Sequence, residues 1–224
     1  DEGIGRVMDA LRRTGADKNT LVVFTSDNGG ERYSDTWPLV GKKMDLLEGG
    51  IRVPYIARWP AKLPAGKTTP QLAITMDWSA TMLAAAGVAQ HPTYPMDGID
   101  LLAAKPVERD LFWRMKFRDQ KAVRSGNWKW LSIEGNEFLY DLAKDQRERA
   151  NLAKRFPEKF AELRRRCALL DAFYENDFFT SELEQALLLH VADHGHDEAV
   201  LRVHRDADVE VFLQDQALAR AVER

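Results

Sequence analysis

Four polar side chains in the first quarter of the chain have the types and spacing to act on an anion. Asp27 and Asn28 follow directly on the apolar run Leu21-Val22-Val23-Phe24, and Lys42 and Lys43 come after a short loop. A carboxylate and an amide offer oxygen, the donor that hard cations such as Ca²⁺ and Mg²⁺ select. In open α/β sheets ligands bind outside the carboxyl ends of strands, which is where this pair falls. An ammonium nearby would stabilise negative charge as a bond to an anionic centre breaks. Taken alone, Asp27-Asn28-Gly29-Gly30 also reads as a tight turn, and Lys42 and Lys43 as a solvated loop.

The elements that must position these groups follow from the pattern. Asp1 to Thr14 carries Ile4, Val7, Met8 and Leu11 at helical spacing, with Gly15 as a stop. Leu21–Phe24 predicts a strand buried on both faces, the last part of a βαβ unit, and Val53–Trp59 predicts a second strand. Between them lie the glycines of Glu48-Gly49-Gly50, which allow a tight backbone path, and Arg52, expected in a buried ion pair. Residues 60–75 read as a loop. Residues 76–88 read as a helix with Asp77 in a capping or local hydrogen-bonding role. Asp97 reads as a turn residue, and His91 falls in the Pro-rich loop before it. Leu111–Met115, Lys121–Arg124, Trp128–Leu131 and Phe138–Leu142, punctuated by Gly126 and Gly135, predict a small antiparallel sheet. Residues 147–170 predict a helix broken near Pro157, with Phe156, Phe160, Leu163, Cys167 and Leu170 on one face.

The ordered combination SDNGG at 26–30, GKK at 41–43 and LLEGGIRVPYIARWP at 46–60 resembles the second conserved region of the sulfatase family, arylsulfatase-like members of the alkaline phosphatase superfamily. The likeness continues through Asp77 in MDWSATMLAAAG, Asp97 to Leu101, and NEFLYDLAKDQRERANLA at 136–153. It implies an α/β fold: a partial alkaline-phosphatase-like sheet with flanking helices, then a small antiparallel sheet and a C-terminal helix. The implied division is residues 1–105 in the catalytic α/β domain, 106–172 in the small subdomain and 173–224 as an extension. The resemblance further implies Asp27 and Asn28 as ligands of a divalent cation, Ca or Mg. Lys43, five positions before Glu48, matches the substrate-contacting lysine. The activity implied is sulfuric ester hydrolysis on a sulfated small molecule or glycan, in a periplasmic or extracellular setting.

The family's nucleophile lies in a Cys-x-Pro-Ser-Arg segment whose cysteine becomes formylglycine. No such segment occurs here, and Cys167, the single cysteine, sits in FPEKFAELRRRCALL. The chain is thus expected to be the C-terminal portion of a sulfatase, partnered by a missing N-terminal half and inactive alone. Two alternatives stand beside this: a phosphate or phosphonate ester hydrolase of the same superfamily, and a non-catalytic remnant acting as a binding module.

A formal net charge of −3 over 224 residues argues against a nucleic-acid partner. No apolar run is long enough for a membrane span. One cysteine excludes an internal disulfide framework. Glu31, Arg32, Tyr33, Asp35 and Trp37 are read as a surface loop with two packed aromatics, or as a leaving-group contact. His190 and His194 share the i, i+4 spacing of a helical metal pair, with His196 and His204 nearby. Gly195 interrupts that helix, no cysteine accompanies the histidines and the resemblance offers no support, so a zinc site is disfavoured.

Overall fold

Alternation of apolar and polar residues from Asp110 to Asp141 makes four strands, each able to cover its neighbour. In the computed structural model, which describes residues 1–103, 105–175, 199–203 and 209–213, these are β3 (Asp110–Met115), β4 (Gln120–Ser125), β5 (Trp128–Ile133) and β6 (Asn136–Asp141). They form an antiparallel meander in chain order. Gly126 and Gly135 take left-handed φ values of 55° and 77° at the β4–β5 and β5–β6 turns, a conformation that costs glycine little.

Pairing puts Trp113 opposite Ala122, and Ala122 opposite Leu131, on one face. Ala122, Leu131, Tyr140 and Leu142 are buried there together with Leu46, and Leu47 and Ile51 pack against the cluster. The opposite face buries Val123, Trp130 and Leu139, so the sheet is dry on both sides. Removing side chains of this size from water stabilises by about 1.5–3 kcal/mol each.

Ahead of the sheet lie α1 (Glu2–Thr14), β1 (Val22–Thr25), the single-turn α2 (Glu48–Ile51), β2 (Tyr55–Arg58) and α3 (Asp77–Ala85). Gly15 ends α1 in the left-handed region. β1 and β2 pair antiparallel, Val22 with Arg58 through Thr25 with Tyr55. This corrects the expectation of a strand buried on both faces in a βαβ unit. Phe24 is 45% and Ile56 57% exposed, because among the described residues the two strands form a sheet of their own. The apolar stripe of α1 is open in the same way, with no residue of the helix buried.

Asp77 is wholly buried at the start of α3 and accepts hydrogen bonds from the backbone of Ile74 and Ile99 and from Arg109. It ties three segments together, which is the local bonding role its position suggested. His91 accepts from the amides of Thr93 and Tyr94, a turn contact within its own loop.

The chain divides into two compact units, residues 1–160 and 161–224. α4 (Pro157–Glu175) begins at Pro157 instead of being broken there. Proline lacks the amide that a first helical residue would leave unbonded, so it starts a helix well. Leu163 and Cys167 are buried on α4, while Phe156, expected on the same face, precedes the helix and is 37% exposed. In the second unit β7 (Ala199–Val203) pairs antiparallel with β8 (Val209–Leu213). The histidines at 190, 194, 196 and 204 lie outside the described residues. No helix among the described residues is long and apolar enough to cross a membrane.

Candidate active site

Asp27 and Asn28 sit just past the end of β1, and the glycines behind them fix where they point. The Gly29 amide donates to Gly50 O at 2.8 Å, and the Lys43 amide donates to Gly30 O at 2.8 Å. The turn after β1 therefore lies backbone to backbone on the segment that carries Lys43 and α2. A Cβ on Gly29 would stand 1.8 Å from Gly49 O, so only glycine permits the approach.

That segment is held in turn by the small sheet. Gln120, fully buried at the start of β4, accepts from the Leu46 amide at 2.9 Å and donates to Met44 O at 2.8 Å and Phe117 O at 3.0 Å. Lys129, fully buried in β5, pairs with Glu48 at 3.0 Å and Glu148 at 2.8 Å. Glu148 also accepts from the Glu48 amide at 2.6 Å. The ammonium offsets part of the cost of burying two carboxylates, and Glu48 Oε2 keeps no hydrogen-bond partner. Burial pushes the Glu148 carboxyl above its usual range, against the opposing pull of Lys129.

The result is one cavity of about 600 Å³ lined by Asp27, Asn28 and Lys43 together. β2 contributes Tyr55 to it, the 69–75 loop contributes Gln71, and β3 and β4 contribute Trp113 and Arg124. Burial pushes the Tyr55 phenol up to about 12, so it remains protonated near neutral pH and donates to Ile74 O.

Asp27 Oδ1 accepts from the Asn28 amide at 3.0 Å and from its Nδ2 at 3.1 Å. Asp27 Oδ2 and Asn28 Oδ1 remain as oxygen donors at the cavity wall. These residues fit a hard cation in donor type and supply two of the six to eight oxygens that Ca²⁺ takes. Among the described residues no group of three or more His, Cys, Asp or Glu gathers as a metal cluster.

Lys43 is partly exposed and stands 4.0 Å from Glu31, while Lys42 faces a neighbouring hollow with Arg32 and Tyr33. Tyr33 is 98% exposed, which corrects the expectation of two packed aromatics in this loop. Of the two aromatics, Trp37 lies against the Arg147 guanidinium, 4.2 Å from its ring centre. Arg52 pairs with Glu48 at 3.7 Å, but its side chain is 43% exposed. The buried partner of Glu48 is Lys129 instead, because the sheet, and not the following strand, closes over α2.

Lys129, Glu148, Gln120 and Arg124 were missed by sequence reasoning. A signal was present in the strand alternation, since Lys129 shares the parity of Leu131 and Gln120 that of Ala122, placing both inward.

Residues 1–88 match the sulfatase family model. The chain is 38% identical over 110 residues to an N-acetylgalactosamine-6-sulfatase of Canis lupus familiaris, covering 46% of this chain and 21% of that protein. It is 31% identical over 189 residues to arylsulfatase A of Homo sapiens, covering 68% and 37%. Among solved structures, Ps i-CgsB in complex with k-i-k-neocarrahexaose superposes with a TM-score of 0.70 at 25% identity, over 87% of this chain and 46% of that one. The chain spans less than half the length of each. The α/β fold with its following antiparallel sheet is that of alkaline-phosphatase-like sulfatases. Residues 1–88 thus carry the sulfatase family's pattern, and the chain around them is similar to sulfatases in both sequence and fold.

Proposed function

We propose that this chain supplies the cation-binding and charge-stabilising part of a sulfuric ester hydrolase acting on a sulfated sugar. The supporting observation is the convergence of Asp27, Asn28 and Lys43 on one cavity. Asp27 and Asn28 would hold a divalent cation, Ca²⁺ or Mg²⁺, which when bound polarises the sulfate oxygens. Lys43 stabilises the negative charge that develops on those oxygens as the ester bond breaks. Arg52, Glu48 and Lys129 keep α2 and the Lys43 segment in place. The formylglycine nucleophile belongs to a segment other than these 224 residues, so the chain by itself does not turn over substrate. The proposed setting is periplasmic or extracellular, and the sugar is proposed because one relative is named an N-acetylgalactosamine-6-sulfatase and a structural neighbour is in complex with k-i-k-neocarrahexaose.

The test is aryl sulfate turnover by the chain joined to the catalytic half that bears the nucleophile. Lys43→Ala should lower kcat by about 10²–10³, the usual loss of one preorganised charge stabiliser. Asp27→Ala should abolish the dependence on added Ca²⁺. Undiminished turnover in the Lys43 variant would sink the assignment.

A further inference from the structure

Of the asparagines in the chain, only Asn28 is followed by glycine. Such a pair can react with itself. The backbone nitrogen of the second residue attacks the side-chain carbonyl carbon of the first, and glycine, with no Cβ, leaves the path open. The attacking nitrogen must give up its proton and swing toward the side chain. Whatever holds the peptide between the two residues therefore decides whether the reaction starts.

In the folded chain that peptide is held at both ends. Its N–H, on Gly29, donates to Gly50 O at 2.8 Å, and Gly29 is buried against the backbone of Gly49 and Gly50. Its carbonyl, on Asn28, accepts from Ser26 Oγ at 2.9 Å. The amide nitrogen that would leave is fixed too, since Asn28 Nδ2 donates to Asp27 Oδ1 at 3.1 Å and to Gly29 O at 3.2 Å. Asn28 is nevertheless only half-buried and lines the cavity, so water reaches it.

We propose that Asn28–Gly29 is a latent self-modification site whose latch is the Gly50 carbonyl. When the Gly29–Gly50 contact opens, Gly29 N loses its proton and bonds to Asn28 Cγ. The Cγ–Nδ2 bond breaks, and the Nδ2 amino group takes up a proton and leaves as ammonia, closing a five-membered imide. Water then opens the ring. Cleavage of the new N–Cγ bond leaves an aspartate; cleavage of the original backbone C–N bond leaves an isoaspartate, with the main chain running through Cγ. Either product puts a second acid beside Asp27 at the cavity wall. Isoaspartate also lengthens the backbone by one atom ahead of Gly29, so its N–H no longer meets Gly50 O and the turn does not reclose. This chemistry is independent of the sulfuric ester reading.

The experiment is incubation of the full chain in warm, mildly alkaline buffer, folded and unfolded in guanidinium chloride, followed by tryptic digestion and mass spectrometry. In the unfolded chain the peptide from Asn19 to Arg32 should gain the one-dalton difference between amide and acid, at Asn28, as aspartate and isoaspartate forms. Asn19, followed by threonine in the same peptide, is the internal control and should stay unchanged. The folded chain should convert about tenfold more slowly or less, because slow chemistry samples only the opened population. Gly49→Ala keeps the reacting pair but sets a Cβ 2.3 Å from Gly41 O, displacing the wall on which Gly29 rests. Ser26→Ala frees the other end of the peptide. Each should raise the folded rate about two- to tenfold. No conversion at Asn28 in the unfolded chain, equal rates in folded and unfolded chains, or a folded rate unmoved by both substitutions would overturn the proposal.

Discussion

Replacing Gly29 with alanine tests whether the turn bearing Asp27 and Asn28 rests on the Lys43 segment. The new Cβ would lie 1.8 Å from Gly49 O, and 2.7 Å from both Gly49 C and Gly50 Cα. All three are backbone atoms, so no rotamer change relieves the clash. The two segments must part by about 1.2 Å to reach even a tight 3.0 Å contact, an overpacking that costs about 1–3 kcal/mol. Parting them also strains the Gly29–Gly50 hydrogen bond, another ~1 kcal/mol. The sum, about 2–4 kcal/mol, should lower Tm by about 5–15 °C in a chain of this size. Gly5→Ala is the internal control: nothing lies within 4 Å of that Cβ in helix α1, so the same change should stabilise by about 0.5–1 kcal/mol. Urea titrations of the two variants should therefore move in opposite directions. If Gly29→Ala unfolds at the wild-type midpoint, the close approach is wrong, and with it the positioning of the site.

Lys129→Met leaves Glu48 and Glu148 buried without their shared cation and should cost about 3–5 kcal/mol, read from the urea midpoint near neutral pH. Glu148 gives a pH signature. Its folded pKa is raised, so its contribution is fully present below the unfolded value of about 4.3 and is lost as pH rises through the folded one. The stability of wild type relative to Glu148→Gln should accordingly decline from pH 4 toward neutrality, and a flat or rising difference would contradict the direction of the shift.

The small sheet was legible because its signals are local. Period-two alternation and turn glycines marked β3 to β6 within a residue or two, and the 3.6-residue spacing of Ile4, Val7, Met8 and Leu11 marked α1. Exposure was not legible: an apolar run such as Val22–Phe24 states what a strand could bury, not what covers it. The meeting of Asp27 and Lys43 across an irregular loop has no period at all. Only the ordered motif string indicated it, and the geometry behind it is backbone contact between glycines. Lys129 escaped notice because a lysine between two tryptophans reads as a solvated edge. Its burial depends on Glu48, far away in sequence, and on Glu148, held at a φ of 53°.

Gln120 and Lys129 have one more implication. The stretch from Met44 to Glu48 has little regular structure, yet its amides and carbonyls are bonded to the side chains of Gln120, on the inner strand β4, and of Glu148, which Lys129 of β5 holds. Loosening that stretch thus means breaking a network anchored in the strands, so it inherits their cooperativity and not the ease of an ordinary loop. A defect introduced among the strands, well away from any ligand, would be felt at the Lys43 ammonium as a change in where its charge is held.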